Sequence, residues 1–399
     1  MEKVNFEDLK KILEKKQEDI EKDVKEIIER VKNQGDKAIF YFTEKFDKVK
    51  LEKLKITENE IEGSKKYLKG KIFECIKKAK ERIEKYHKKQ LPKGFKIKEK
   101  DIEIEFKYSP IEKIGIYIPG GQVPLISTVL MTIIPAKIAG VKEIYVSSPP
   151  SYNGKIHPLI IATCDYLGVK NIFSVGGVCA ITAFAFGTET IPKVDLIVGP
   201  GNKYVNCAKK LLYGQVGIDL PAGPSEVVIF SDNSGKLNFI EYDLKAQIEH
   251  TDGMGILITT DEKIGTIVSK NVEKGYLVVV RDEKEAIEII NYISPEHLQV
   301  ISKKPEIFKN CKAGAIFIGN YTPATIGDYF AGPSHVLPTG KTARFSSGLT
   351  IFTFLRSYAI IKCKKEFIKK YGRDIEEIAT IEGLKNHSLS IKVRKSIIK

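Results

Sequence analysis

The chain has 399 residues, with 65 basic against 51 acidic side chains and a formal net charge of +14. Only seven of the basic residues are arginine, and the lysines are interleaved with glutamate, as in EKKQEDIEKDVKEIIERVK (14–32). Such mixing makes solvated helix faces rather than a nucleic-acid footprint, and no run of eighteen apolar residues exists to span a membrane. The six cysteines (Cys75, Cys164, Cys179, Cys207, Cys311, Cys363) form no CxxC pair and no close cluster. That argues against a zinc–thiolate site or a disulfide framework and for free thiols in a reducing compartment. The N-terminus is amphipathic and lacks the apolar core of a signal peptide. The expectation is a soluble, cytoplasmic α/β protein with no membrane or nucleic-acid partner.

In chain order, residues 5–45 and 57–90 read as long helices with one polar face. IEIEFKYS (102–109) alternates like a strand. From about residue 113 the pattern changes. KIGIYIPGG is an apolar strand ending in glycines, and STVLMTIIPAKIAG a buried helix with a Ser/Thr start and a Gly stop. Three more rounds follow: EIYVSSPP then HPLIIATCDYLG, NIFSVGG then VCAITAFAFG, VDLIVGPG then NKYVNCAKKLLYG. Four strand–helix rounds with continuously apolar strands predict a parallel sheet covered on both faces. A second α/β run begins with helix NFIEYDLKAQIEH (238–250) and strand GILITTD. Strand YLVVVRD, helix EKEAIEIINYI and strands LQVIS and GAIFIGN complete it. From about 350 the chain is predicted to be helical with a basic tail.

Three glycine clusters, PGG (119–121), VGG (175–177) and GPGN (199–202), fall at strand carboxyl ends before a helix, where open α/β sheets bind ligands and bare amides favour phosphate. No GxGxxG is present, and tight turns alone would explain them equally well. In PAGPSE (221–226), Ser225 lacks the GxSxG setting of a nucleophile and reads as a turn residue or ligand contact. Gln247 and His250 lie three apart on one helix face, an arrangement that suits either a metal or a backbone-bonded helix end. Asp328 and His335 sit in the Gly/Pro-rich stretch GDYFAGPSHVLPTG (327–340), where turn capping is the competing reading. Glu382 and His387 sit on the final helix or just after it, ahead of the strand-like SLSIKV. In ISPEHLQV (293–300), Glu296 and His297 follow a proline. Ser294 as N-cap with Pro295 at the first helical position would account for that locally. Taken together, four of the six histidines (His250, His297, His335, His387) each sit beside an acid or amide in the C-terminal third. Converging imidazoles and carboxylates are what a catalytic metal site with an adjacent acid/base pair requires.

The chain resembles the histidinol dehydrogenases almost end to end. The likeness is densest in GIYIPGG, STVLMTIIPAKIAG, FGTETIPKVDLIVGPGNKYV, IDLPAGPSEV, QIEH, SPEHL, GDYFAGPSHVLPT and NHSLSIKV. The resemblance implies oxidation of L-histidinol to L-histidine through the aldehyde, with two NAD and one Zn²⁺ per subunit. It implies Gln247, His250, Asp328 and His387 as zinc ligands, the last from the partner of a homodimer with shared sites. Glu296 and His297 match the catalytic pair, His297 taking the alcohol proton and Glu296 activating water. Ser225 and Glu382, together with Gln247, His250, His297, Asp328 and His387, match substrate contacts, and His335 should line the pocket. Tyr117, Cys179 and Asn202 match contacts to NAD. Many members carry Gln where this chain has Cys179, which puts that contact in doubt. A thiolate role for Cys179 in aldehyde oxidation is a further alternative.

The implied fold is α/β, with two Rossmann-like doubly wound sheets, one inserted in the other, N-terminal helices and a C-terminal helical and strand tail swapped in the homodimer. The implied division is an N-terminal helical segment (1–20), an α/β domain carrying the metal and catalytic loops (21–116 with 226–349), an inserted NAD-binding domain (117–225) and a C-terminal dimerisation segment (350–399).

Overall fold

A computed structural model describes every residue except 15–19, 121–122, 222, 224, 250–252 and 399. The chain forms two compact units, residues 1–90 with 111–354 and residues 91–110 with 355–399.

The first unit is a mixed α/β body. It opens with β1 (Glu2–Lys3), α1 (Phe6–Glu14), α2 (Glu21–Gln34), α3 (Asp36–Asp47), α4 (Glu58–Ser64) and α5 (Gly70–Lys88). The two helices expected over 5–45 and 57–90 are therefore broken. Gly35 separates α2 from α3, and a 3₁₀ turn (Lys65–Tyr67) separates α4 from α5. The start of α4 is set by a capping box: Thr57 accepts from Glu60 N, and the Glu60 carboxylate accepts from Thr57 N at 2.9 Å.

The unit's first sheet lies past the paired strands β2 (Phe95–Lys98) and β3 (Ile102–Pro110), which belong to the second unit. The predicted strand–helix rounds are present as β4 (Lys113–Tyr117), α6 (Ile126–Ala139), β5 (Glu143–Ser148), α7 (Pro158–Tyr166), β6 (Ile172–Ser174), α8 (Gly177–Phe186), β7 (Leu196–Val198) and α9 (Lys203–Leu212), with β8 (Gly217–Ile218) after them. The sheet is parallel throughout, in the order β6-β5-β4-β7-β8. α2, α3, α8 and α9 close a core over Tyr145, Phe173 and Ile197.

The second sheet is built from β9 (Glu226–Ser231), α10 (Leu237–Ile248), β10 (Met254–Thr259), α11 (Glu262–Asn271), β11 (Tyr276–Val279), α12 (Glu283–Ile293), β12 (His297–Ile301) and β13 (Ala315–Ile318), followed by the short helix α13 (Ala324–Tyr329). Its order is β1-β11-β10-β9-β12-β13, again parallel. Strand alternation sorts β9 cleanly. Val228 and Phe230 pack towards α1 and α12, and Val227 and Ile229 towards α10 and α11.

The second unit pairs β14 (Leu355–Cys363) antiparallel with β3, and β3 with β2. It ends in α14 (Lys365–Ile381) and α15 (Lys385–Ile397). β14 was not expected, because its partner lies far away in sequence. SLSIKV also departs from expectation: it is helical, not strand-like. Ser388 and Ile391 are its half-buried positions, at helical spacing, and Ile391 and, one turn on, Lys395 pack on Gly372 of α14, so packing overrides the local alternation. Among the described residues, no helix is long and apolar enough to cross a membrane.

Candidate active site

Ser294 does not open a helix. It closes α12 in the left-handed conformation (φ 46°, ψ 61°), with its N–H donating to Ile290 O at 2.7 Å and its hydroxyl to Asn291 O at 2.7 Å. The helix start belongs to Asp282, whose carboxylate accepts from Glu285 N. Ser294 is not glycine, so this turn stores strain of about 1 kcal/mol or more. It delivers Pro295 and Glu296 directly into β12, whose first residue is His297. In register, His297 lies opposite Val227 of β9 and Ala315 of β13. The pair therefore sits at the amino ends of the second sheet's strands, not at the carboxyl ends where α/β sheets ordinarily bind ligands.

Glu296 and His297 are each only 5% exposed. Glu296 Oε2 accepts from Glu226 N at 3.1 Å and lies 3.6 Å from His297 Nδ1, while His297 Nε2 lies 3.7 Å from Asp328 Oδ1. Burial pushes the Glu296 carboxyl up to about 8, the Ser225 hydroxyl and the Glu226 N–H pull against that, and the Glu226 and Asp328 charges add to it. Burial likewise raises Glu226 to about 7, despite the Gly340 N–H that donates to its Oε1 at 3.0 Å, and Asp328 to about 6. Two buried carboxyls and a buried imidazole thus lie together with the half-buried Asp328 beside them, an arrangement suited to holding and moving protons near neutral pH.

Asp328 is carried by α13. A Cβ on Gly327 would stand 2.6 Å from the Phe317 ring, so only glycine lets this helix lie down on β13. His335 braces the same loop. Its Nδ1 is 3.1 Å from Asp328 O and its Nε2 is 3.2 Å from Thr128 Oγ1 at the start of α6. His335 therefore supports Asp328 and joins the two sheets. Gln247, at the end of α10, is 6% exposed, and its Nε2 has no hydrogen-bond partner among the described residues. A buried orphan amide beside the Asp328 helix fits a site that binds something, because an amide rotated about χ3 offers its oxygen at the same point. One turn earlier, Asp243 Oδ2 accepts from Gln299 Nε2 at 2.6 Å and ties α10 to β12. Among the described residues, no three His, Cys, Asp or Glu side chains converge as a complete metal set. Of the four expected ligands, Gln247 and Asp328 belong to this unit, and His250 lies outside the described residues. Glu382, the cap residue of α14, and His387, on α15, are exposed in the second unit.

The three expected cofactor residues line one cavity of about 630 Å³ at the carboxyl ends of β4, β6 and β7. Tyr117 Oη accepts from Gly177 N at 3.2 Å, and burial pushes its hydroxyl up to about 12. Burial also pushes the Cys179 thiol up to about 12, which leaves a neutral thiol and removes support for a thiolate role. Asn202 caps α9, accepting from Tyr204 N and Val205 N at 3.1 Å. Sequence reasoning missed Glu226, which adjoins Ser225 in a quoted motif and could have been found there. It also missed Phe46 and Asp47, which line the cavity from α3, where nothing in an amphipathic helix singles them out.

The histidinol dehydrogenase family model matches residues 11–395. A histidinol dehydrogenase of Methanocaldococcus jannaschii is 42% identical over 398 residues, covering 94% of this chain and 93% of its own. One from Clostridium acetobutylicum is 42% identical over 411 residues, covering 98% and 95%. The crystal structure of histidinol dehydrogenase from Elizabethkingia anophelis superposes with a TM-score of 0.91 at 36% identity, covering 100% of this chain and 98% of that one. A buried acid/imidazole cluster, a cavity at a parallel sheet's carboxyl edge and likeness over the whole length agree, and the chain belongs to the histidinol dehydrogenase family, oxidoreductases of the last step of histidine biosynthesis.

Proposed function

We propose that the protein oxidises L-histidinol to L-histidine through L-histidinal, with two NAD and one Zn²⁺ per subunit. The observation that carries this reading is the buried cluster of Glu226, Glu296 and His297 at the start of β9 and β12, with the half-buried Asp328 of α13 against it. Gln247, His250 and Asp328 would hold the zinc together with His387 of the partner subunit, and the bound ion supplies a Lewis acid that fixes the substrate's nitrogens. NAD in the cavity lined by Tyr117, Cys179 and Asn202 supplies the hydride acceptor.

The chain's own groups then handle the protons. His297 takes the hydroxyl proton at Nε2, the nitrogen facing Asp328, in the first oxidation. In the second, Glu296 takes a proton from the water that hydrates the aldehyde. The low exposure of both side chains keeps bulk water from competing. Ser225 holds the Glu296 carboxylate, and Ser225 and Glu382 complete the substrate contacts.

The order third-second-first-fourth-fifth, shared by β4–β8 and β9–β13, supports reading both sheets as Rossmann-like, with 117–225 inserted between 21–116 and 226–349. A homodimer swapped through 350–399 is supported by the second unit's lack of a core. Among its described residues only Gly372 and Ala379 are buried, while Ile361, Ile381, Val393 and Ile397 are exposed. The six free cysteines suit a reducing compartment, and we place the protein in the cytoplasm. The test is NADH formation from histidinol with and without a chelator. Two NADH per histidinol, lost on chelation, is the expected result, and NADH formation indifferent to chelation would refute the zinc site.

A further inference from the structure

Lys209 and Asp219 form an ion pair with side chains 1% and 0% exposed, and neither lines the cofactor cavity. Burying two charges costs several kcal/mol per ion before pairing, and an apolar pair of similar volume often serves stability as well. The pair is better explained by what it grips. Asp219 Oδ2 accepts from Gly199 N at 2.8 Å, and Lys209 Nζ donates to Gly199 O at 3.0 Å. Asp219 Oδ1 also accepts from Leu220 N at 2.7 Å. Both polar groups of one glycine are thus held by the two halves of one buried pair.

Gly199 is the first residue after β7. Its φ of +115° and the 2.1 Å that would separate a Cβ from Tyr117 O lay the β7–α9 turn directly on the end of β4. Asn206 Nδ2 holds the next turn of the loop through Gly201 O at 2.7 Å. Asn202 caps α9 three residues beyond Gly199, so the clamp sets where Asn202 stands relative to Tyr117 across the cavity.

We propose that Lys209 and Asp219 are positioning residues for the nicotinamide cofactor, acting through Gly199 on the spacing of Tyr117 and Asn202. This rests on the reading of the cavity as the NAD site. The test is an NADH fluorescence titration of the full-length protein and of the double variant Lys209→Met/Asp219→Leu, which removes the grip without leaving a lone buried charge. The expected result is a dissociation constant for NADH raised about tenfold or more, with the histidinol KM within about twofold of the parent. An NADH affinity within about twofold of the parent overturns the proposal. A second readout needs no variant: the Gly199 amide should exchange hydrogen as slowly as Ile197 and Val198 of β7, and exchange at the rate of an open loop overturns the clamp. A parent protein that binds no NADH at all would overturn the cofactor reading itself, an outcome distinct from a variant that binds normally.

Discussion

The raised carboxyl of Glu296 makes a kinetic prediction with a definite sign. If Glu296 is the base that activates water for aldehyde oxidation, it must be ionised to act. Burial among Glu226, His297 and Asp328 pushes its midpoint up to about 8. A base with that midpoint is roughly 9% ionised at pH 7 and about 90% at pH 9, so kcat/KM for histidinal should rise about tenfold between them. The rise belongs to the alkaline side because burial disfavours the charged form, and the active form accumulates only as pH passes through the raised value. The assay is initial-rate NADH formation from histidinal across pH 6 to 10. Glu296→Gln should abolish the rising limb and lower the plateau by about 10²-fold or more, while the alcohol step loses less. A flat profile between pH 6.5 and 9 in the parent, or the same limb in Glu296→Gln, would refute the assignment.

His297→Asn should slow the first oxidation about 10²-fold or more while zinc content stays that of the parent, and normal turnover with histidinol would count against Nε2 as the proton acceptor. Gln299→Leu cuts the bond to Asp243 that ties α10 to β12, so Gln247 should hold zinc less firmly. Competition with a metal-sensitive dye should show affinity lowered about tenfold, and an unchanged affinity removes that role. Mixed dimers of His387→Ala and Asp328→Ala chains should regain part of the activity that each variant lacks alone, because one site of the mixture carries neither substitution. Absence of any rescue would argue against a ligand shared between subunits.

The strand–helix rounds of β4 to α9 were legible because their strands are short apolar runs bounded by glycines, a purely local signal. β12 was legible too, as LQVIS, while a helix opening at Ser294 stood as the competing local reading. Ser-Pro-Glu fits a helix opening, and only the tertiary path of the chain turns Ser294 into a helix end. The pairing of Glu296 with His297 was visible as adjacency. Its setting was not: Glu226 and Asp328 come from segments that the sheet alone brings together. Their weakened acidities come from burial, which no sequence pattern reports. β14 and α15 failed for the same kind of reason, since pairing with β3 and packing on α14 outweigh what nine or thirteen residues prefer on their own.

The antiparallel pairing of Leu355–Cys363 with Ile102–Pro110 has a consequence for biogenesis. The hairpin of β2 and β3 leaves the ribosome about 250 residues before the segment that completes its sheet, so throughout synthesis of residues 111–354 one long edge waits without a neighbour. A nascent chain stalled before residue 355 would carry a folded first unit and an aggregation-prone ribbon, and should depend on chaperones far more than the finished polypeptide does.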